Sequence, residues 1–402
     1  MSVKPQQVTV YDAPHPFEPM LPGASHLGEL REMGDQIARD SLLLRGGAHP
    51  SMLVALRGLV RAMNSYYSNR IEGQSTHPVY IAQALTRSFA DQPDIAFRQR
   101  LALAHVGAEE ALERHVDAGE DPLRSAFAIQ AHRELYERLD EADRRSEEGT
   151  LIEPGAVRTT DVAVHRHHPP THAALPKFLD RFDQAYAKRW VMCDLPRVVA
   201  CAHHRMAWIH PFADGNGRAT RLQTHAALWQ LSGGLWSVNR GFARRRDEYY
   251  ARLSEADMAR QGDLDGRGNL SERMLAQWCR FFLDVCMDQV SFMGKLLDLP
   301  NMRTRLAQLV AVRRLQPGKE LIYRPGMDLI LFHLFAAGPV SRGEFQQLLG
   351  MPPRSAARVL KGLLDDGIVS SESRNSAVHA ALPLDALPIL LPGLYPEAAA
   401  PL

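Results

Sequence analysis

The sequence predicts a mainly α-helical protein with one short β-hairpin in its middle and a winged helix-turn-helix unit at its C-terminal end. Three observations carry this. Apolar residues recur at spacings of three and four over most of the chain. That period breaks into alternation around residues 150–172, and three short helical stretches followed by two strand-like runs close the sequence. The 402 residues, 45% apolar and 23% charged, describe a globular chain of two or three domains. A net charge of +1 gives no global pull toward nucleic acid or membrane, although local patches remain open. No run of about 18 apolar residues exists, so a membrane-spanning helix and a membrane partner are not expected. Met1–Pro22 has prolines at 5, 14 and 16 and no apolar core, unlike a signal peptide. Cys193, Cys201, Cys279 and Cys286 form no CxxC pair, and a reduced, cytoplasmic protein with buried thiols is expected.

Taken in order, a Pro-rich start leads into a helical pattern on Leu27, Leu30, Met33 and Ile37. From Met52 to Val116 the three-and-four spacing continues (Leu56, Val60, Met63), interrupted by the turn-forming Glu72-Gly73-Gln74-Ser75. A helix is predicted over Arg124–Ala142. Thr160, Val162 and Val164 alternate between Pro154-Gly155 and Pro169-Pro170, which predicts a hairpin. Pro196 opens a helix running to Ile209, and helices continue after the next loop to about Leu297. Residues 300–325 read as a basic linker containing Arg303, Arg305, Arg313 and Arg314. Met327–Ala336, the helix from Ser341 to Gly350 and the helix from Pro353 to Gly367 then precede strands at Ile368–Ser371 and Ala377–Leu382. The expected domains are an N-terminal helical region (1–100), a catalytic core (101–299), the linker (300–325), and the winged helix with its tail (326–402).

The chemistry concentrates in the loop His210-Pro-Phe-Ala-Asp-Gly-Asn-Gly-Arg-Ala-Thr-Arg221, which joins two helices. Gly215 and Gly217 let successive backbone N–H groups converge on one anion, and the following helix adds its N-terminal dipole there. Arg218 and Arg221 share a helix face and can both reach phosphate oxygens. Asp214 is a hard oxygen ligand suited to Mg²⁺. His210 titrates near neutrality and can take a proton from a hydroxyl. Base, metal ligand, anion hole and cationic clamps together suit phosphoryl or nucleotidyl transfer.

Residues 210–221 match His-Pro-Phe-x-Asp-Gly-Asn-Gly-Arg-x-x-Arg completely, and the chain thereby resembles the Fic family, whose members mostly transfer AMP from ATP to protein Ser, Thr or Tyr hydroxyls. The resemblance implies a helical Fic core with a hairpin flap that docks the target segment. It implies His210 as general base, Asp214 on Mg²⁺, Phe212 anchoring the loop, and Gly215, Asn216 and Gly217 on the α- and β-phosphates. Arg218 and Arg221 would reach the outer phosphates. The related Doc kinases carry Lys where Gly217 stands, so Gly217 implies AMP rather than phosphate transfer. His203 and the Arg246–Tyr250 stretch look like the family's flanking helices. Tyr250 resembles an adenine-pocket residue, and Asp257 falls where a polar adenine contact is common.

Upstream, Ser68-Asn-Arg-Ile-Glu72-Gly73 resembles the family's inhibitory sequence, Ser/Thr-x-x-x-Glu-Gly/Asn. Ser68 and Glu72 are one helical turn apart and share a face. A carboxylate beside Arg221 would compete with ATP for that cation, which implies inhibition within one chain.

Two features tempt in other directions. The histidines at 165, 167, 168, 172, 203 and 204 lack zinc-site spacing. Asp263-Leu-Asp265-Gly266 fails the calcium-loop pattern and reads as a surface loop before a helix at Ser271. In the C-terminal unit Arg354, Arg358 and Lys361 project from the third helix and Arg374 from the wing, a mildly basic surface that could meet DNA or protein. The expected function is an autoinhibited protein adenylyltransferase using ATP and Mg²⁺. A de-AMPylase using Glu72 and a DNA-binding regulator are the alternatives. The target protein and the oligomeric state, homodimer included, stay open.

Overall fold

A computed structural model describes residues 12–47, 49–74, 76–146, 149–163, 167–373 and 375–395. The body is built from α1 (Ala24–Gly46), α2 (Pro50–Ile71), α3 (Pro78–Leu85), α4 (Pro93–Asp117), α5 (Ser125–Tyr136) and α6 (Leu175–Tyr186). It continues with α7 (Leu195–Ile209), α8 (Asn216–Ser232), α9 (Val238–Arg244), α10 (Arg246–Ala256) and α11 (Glu272–Leu297). The helix ends are written locally. Pro50, Pro78 and Pro93 stand in the first turns of α2, α3 and α4, where a missing N–H costs nothing. The His49 and His77 side chains accept from the Ser51 and Val79 amides, and the Ser271 hydroxyl accepts from the Met274 amide to start α11. Gly73, at φ +77°, lets the chain leave α2 in the left-handed region.

The helix that positions the loop is α8. Nearly every residue from Asn216 to Ser232 is buried, so this helix is an axle and not an amphipathic surface element. α2, α4, α5 and α7 pack around it. Its buried polar groups are paired across that packing: His203 of α7 bridges the Thr224 hydroxyl (2.7 Å) and the Tyr249 hydroxyl (3.0 Å), and the Gln223 amide donates to the Pro122 and Arg124 carbonyls. On the far side α1 lies along α11, with the Cys201 and Cys279 thiols 3.3 Å apart between α7 and α11. Cys286 is also buried, whereas Cys193 is only half-buried.

The C-terminal unit comprises α13 (Met327–Ala337), α14 (Arg342–Leu349), α15 (Pro353–Asp365), the antiparallel pair β1 (Val369–Ser370) and β2 (His379–Ala380), and the short α16 (Leu387–Leu390). Val369 pairs with Ala380 and Ser370 with His379. Ser341 and Glu344 cap each other's backbone at the start of α14, and Gly350 at φ +58° ends it. This is the element order expected from the sequence. Arg374 of the anticipated wing lies outside the described residues.

One expectation is corrected. Residues 300–325 are not a linker: α12 (Leu299–Arg314) occupies most of that stretch and packs on α13 and α16. Its arginines drew attention away from Met302, Leu306, Leu309 and Val310, whose spacing makes a buried face. The centre of the hairpin expected at residues 158–168, Val164 to Arg166, lies outside the described residues. Side-chain bonds fix the segment before it. Arg158 donates from Nε to the His210 carbonyl (2.9 Å), from Nη1 to the Thr160 carbonyl (3.0 Å), and from Nη2 to the Pro170 carbonyl. Among the described residues no helix is long and apolar enough to cross a membrane.

Close approach of backbones fixes α1. A Cβ at Gly34 would lie 1.9 Å from the Cys193 carbonyl oxygen. Gly34→Ala should therefore destabilise the protein by about 1–3 kcal/mol, as overpacking does. Urea unfolding would read this, and an unchanged midpoint would mean that α1 is free to shift.

Candidate active site

α7 ends at Ile209, and His210 turns the chain in the left-handed region (φ 51°, ψ 61°). A non-glycine residue there is a strained conformation, sustained here by Arg158, which ties down the His210 carbonyl, and by the Arg158 amide, which donates to the Pro211 carbonyl (2.9 Å). The His210 Nδ1 lies 3.4 Å from the Ala207 carbonyl, so Nδ1 carries the hydrogen and Nε2 keeps its lone pair. Burial lowers the ring's pKa to about 4, against the Ala207 carbonyl, which raises it. The imidazole is a neutral base at pH 7.

Phe212 is buried and stacks on His132 of α5, ring centroids 4.1 Å apart. The Gly155 amide donates to His132 Nδ1 (2.9 Å), which fixes the tautomer, and Nε2–H donates to the Asp214 carbonyl (3.2 Å). Burial holds this ring at about 4 as well. The Asn216 side chain accepts from the Phe212 amide (2.9 Å) and donates to the Phe212 carbonyl (2.8 Å), so it staples the loop while its backbone amide stays at the helix start.

The loop then enters α8 at Gly215, φ +75°, where the Tyr136 hydroxyl covers the backbone: a Cβ there would lie 2.4 Å from that oxygen. Burial pushes the Tyr136 phenol up to about 12. The first helical bond runs from the Ala219 amide to the Gly215 carbonyl (3.0 Å), so the amides of residues 216–218 point out of the helix end. The Asp214 carboxylate accepts from the Gly215 amide and has no cationic partner among the described residues.

Glu72 sits over this opening. Its Oε1 lies 2.5 Å from the Arg221 guanidinium, and a Cβ on Gly217 would come within 2.3 Å of the same oxygen. Arg221, 1% exposed, also donates from Nε to the Ser68 hydroxyl (3.0 Å) and from Nη2 to the Ser68 carbonyl (3.1 Å). Arg218 donates from Nε to the Asn69 amide oxygen (3.1 Å) and from Nη2 to Gln74. Both arginines are thus held by the end of α2. Burial alone would raise the Glu72 pKa, but Arg221 and Arg218 outweigh it and keep the carboxyl below the usual range. Tyr250 is 42% exposed, and its hydroxyl donates to the Ile71 carbonyl (3.2 Å), as does Arg246 Nε (3.1 Å). Asp257 is engaged elsewhere, 3.1 Å from His204 Nε2 and 3.8 Å from His167 Nδ1.

The structure therefore gathers Ser68, Glu72, His210, Asp214, Gly215, Gly217, Arg218, Arg221 and Tyr250 about the start of α8. Sequence reasoning missed Asn69, Gln74, His132, Tyr136, Arg158 and Arg246. The i,i+4 pairs His132/Tyr136 and Arg246/Tyr250 carried a faint signal, but Arg158 carried none.

This fold and loop define a helical protein that presents free amides and two guanidinium groups at one buried helix start. Residues 122–228 match the Fic/DOC family model, and this segment is similar to that family. A protein adenylyltransferase Fic of Nematostella vectensis is 28% identical over 201 residues, covering 48% of this chain and 42% of the relative. The Culex quinquefasciatus protein adenylyltransferase Fic is 32% identical over 114 residues, covering 28% and 22%. The chain thus spans less than half the length of these curated relatives. The crystal structure of a Fic family protein from Desulfovibrio desulfuricans G20 has the same fold, with a TM-score of 0.52, 19% identity, and coverage of 91% of this chain and 99% of that one.

The neutral histidines have a measurable consequence. Between pH 6.5 and about 4 the unfolded chain binds protons that folded His132 and His210 refuse. Their contribution is complete above about pH 6.5 and is lost as pH falls toward 4. Urea unfolding across this range should show declining stability, with a shallower slope in His132→Phe. Equal slopes would mean that His132 is not kept neutral.

Proposed function

We propose that the chain is an autoinhibited protein adenylyltransferase that moves AMP from ATP to a Ser, Thr or Tyr hydroxyl of a protein. The observation that carries this reading is Glu72 seated over Gly217 with its carboxylate on Arg221. His210 Nε2 takes the proton of the target hydroxyl, and the oxygen attacks the α-phosphorus. One P–O bond forms, the bond to the bridging oxygen breaks, and pyrophosphate leaves. The amides at the start of α8 and the two arginines receive the phosphate charge, and Tyr250 borders the adenine side. Asp214, unpaired with any cation among the described residues, suits Mg²⁺ and would hold it; bound there, the ion offsets charge on the leaving pyrophosphate. While Glu72 holds Arg221, the γ-phosphate lacks that clamp.

Label from α-³²P-ATP should stay on protein and label from γ-³²P-ATP should not. Glu72→Gly should raise α-labelling by roughly ten- to a hundredfold, the equivalent of losing one charge-assisted bond of about 1.5–3 kcal/mol. His210→Ala should abolish the gain, since a general base contributes about 10²–10⁴ in rate. Transfer of γ-label, or a Glu72→Gly rate equal to wild type, would sink the reading. AMP released from labelled protein by wild type would instead favour the reverse activity, with Glu72 orienting water.

A second reading concerns the C-terminal unit. Arg354, Arg358 and Lys361 are exposed along α15, and only Lys361 faces an acidic side chain there, Asp365 at 3.5 Å. This surface suits a DNA backbone. Binding of a duplex to the full chain should weaken steeply with salt, and should fall in Arg354→Ala/Arg358→Ala. No retention at low salt would leave protein docking as its role.

A further inference from the structure

Behind the candidate active site, one helical turn further into the protein, lies a polar cluster that the proposed reaction does not use. α4 contributes His105, Glu109 and Glu113, α8 contributes His225, and α2 contributes Arg61 and Asn64. His105, Glu109, Glu113, His225 and Asn64 are each at most 3% exposed. Glu113 Oε1 lies 3.1 Å and Glu109 Oε1 3.4 Å from the same atom, His225 Nε2. One imidazole N–H can donate to only one of them at a time. Arg61 holds the other oxygen of Glu113, Nε at 2.9 Å, and Asn64 donates to Glu109 Oε1 at 2.8 Å.

The bonding present does not complete this cluster. Glu109 Oε2, Asn64 Oδ1 and both ring nitrogens of His105 are buried with no hydrogen-bond partner in another residue among those described; His105 Nδ1 and Glu109 Oε2 stand 3.9 Å apart. Buried polar groups of proteins are satisfied in the great majority, and four orphans in one place ask for an occupant. Glu109 and Glu113 favour a proton on His225, which balances their charge together with Arg61; a bound cation would take the place of that proton. The ligand atoms of Glu109, Glu113 and His225 all lie within 4.8 Å of one another. The 3.1 and 3.4 Å separations from His225 Nε2 match the edges of a shell whose donors stand about 2.0–2.2 Å from one ion.

We propose that Glu109, Glu113 and His225 form a buried site for a first-row divalent cation, at the junction of α2, α4 and α8. Two carboxylates and an imidazole select zinc or manganese-like ions over magnesium, which prefers all-oxygen shells. With His225 Nε2 on the ion, Nδ1 carries the hydrogen and faces Asn64 at 3.4 Å, where the amide oxygen can accept it once the amide is turned over, giving up its bond to Glu109 Oε1 as that oxygen goes to the ion. His105 stands behind Glu109 and can donate to its second oxygen. The site is distinct from Asp214, which lies at the opposite, open end of the α8 entrance. It would fasten α8 and α4 one turn behind Arg221, with α2 attached through Asn64 and Arg61.

The full-length chain, free of nucleotide, would be loaded with Zn²⁺ or Mn²⁺, dialysed against metal-free buffer and assayed by elemental mass spectrometry. About one equivalent should be retained by wild type and by Asp214→Ala. Glu109→Gln and His225→Gln should each weaken retention at least about 100-fold, and Asn64→Ala about 10- to 100-fold as an outer-shell loss. Should those variants fail to fold, Asp214→Ala loaded with Mn²⁺ still decides, because pulsed electron paramagnetic resonance must show coupling to an imidazole nitrogen. No retained ion, retention unchanged in both ligand variants, or no imidazole coupling would each overturn the site.

Discussion

A guanidinium group buried as deeply as Arg221 needs its donors satisfied, and the surrounding structure is arranged around that demand. A carboxylate of the protein or a phosphate of a ligand can meet it. Glu72 meets it now, which requires α2 to end at the mouth of the loop, Gly73 to turn the chain away, and Gly217 to lack a side chain. Ser68, one turn earlier, supplies two further acceptors to the same cation. The proposed autoinhibition needs no second conformation of the loop. It needs only that one cation be shared between two anions.

The loop is kept in shape by groups that take no part in chemistry. Asn216 closes its first half on Phe212, His132 fixes the Asp214 carbonyl, and Arg158 fixes the His210 carbonyl. Each donates or accepts from a buried side chain, which helps hold the left-handed turn at His210. Burial also keeps His210 neutral, since a site packed this tightly excludes the water that would stabilise an imidazolium.

The C-terminal unit is continuous with this machinery. Its apolar residues join the core of the helical body, and residues 391–395 return to α2. There the Tyr67 hydroxyl meets the Leu394 carbonyl at 3.5 Å, Tyr395 meets Tyr66 edge-on, and Arg240 holds the Gly393 carbonyl at 3.0 Å. Tyr66 and Tyr67 directly precede Ser68. The α15 surface is therefore connected through packing to the helix that carries Glu72, with α12 as a packed strut and not a tether.

What the sequence determined by itself was everything that few adjacent residues can specify. Prolines in first turns, glycines past helix ends, the loop from His210 to Arg221 and the one-turn spacing of Ser68 and Glu72 all act through local backbone preference. The tertiary structure decided what depends on partners far away in the chain. It closed the Asn216 side chain on Phe212, brought Asn69 and Gln74 to Arg218 across about 145 residues, and supplied Arg158 to the loop. It made a helix of the basic stretch at 299–314 and assembled His105, Glu109, Glu113 and His225 from two helices. Side chains such as these have no periodicity or neighbour that announces them, because their partners are chosen by packing.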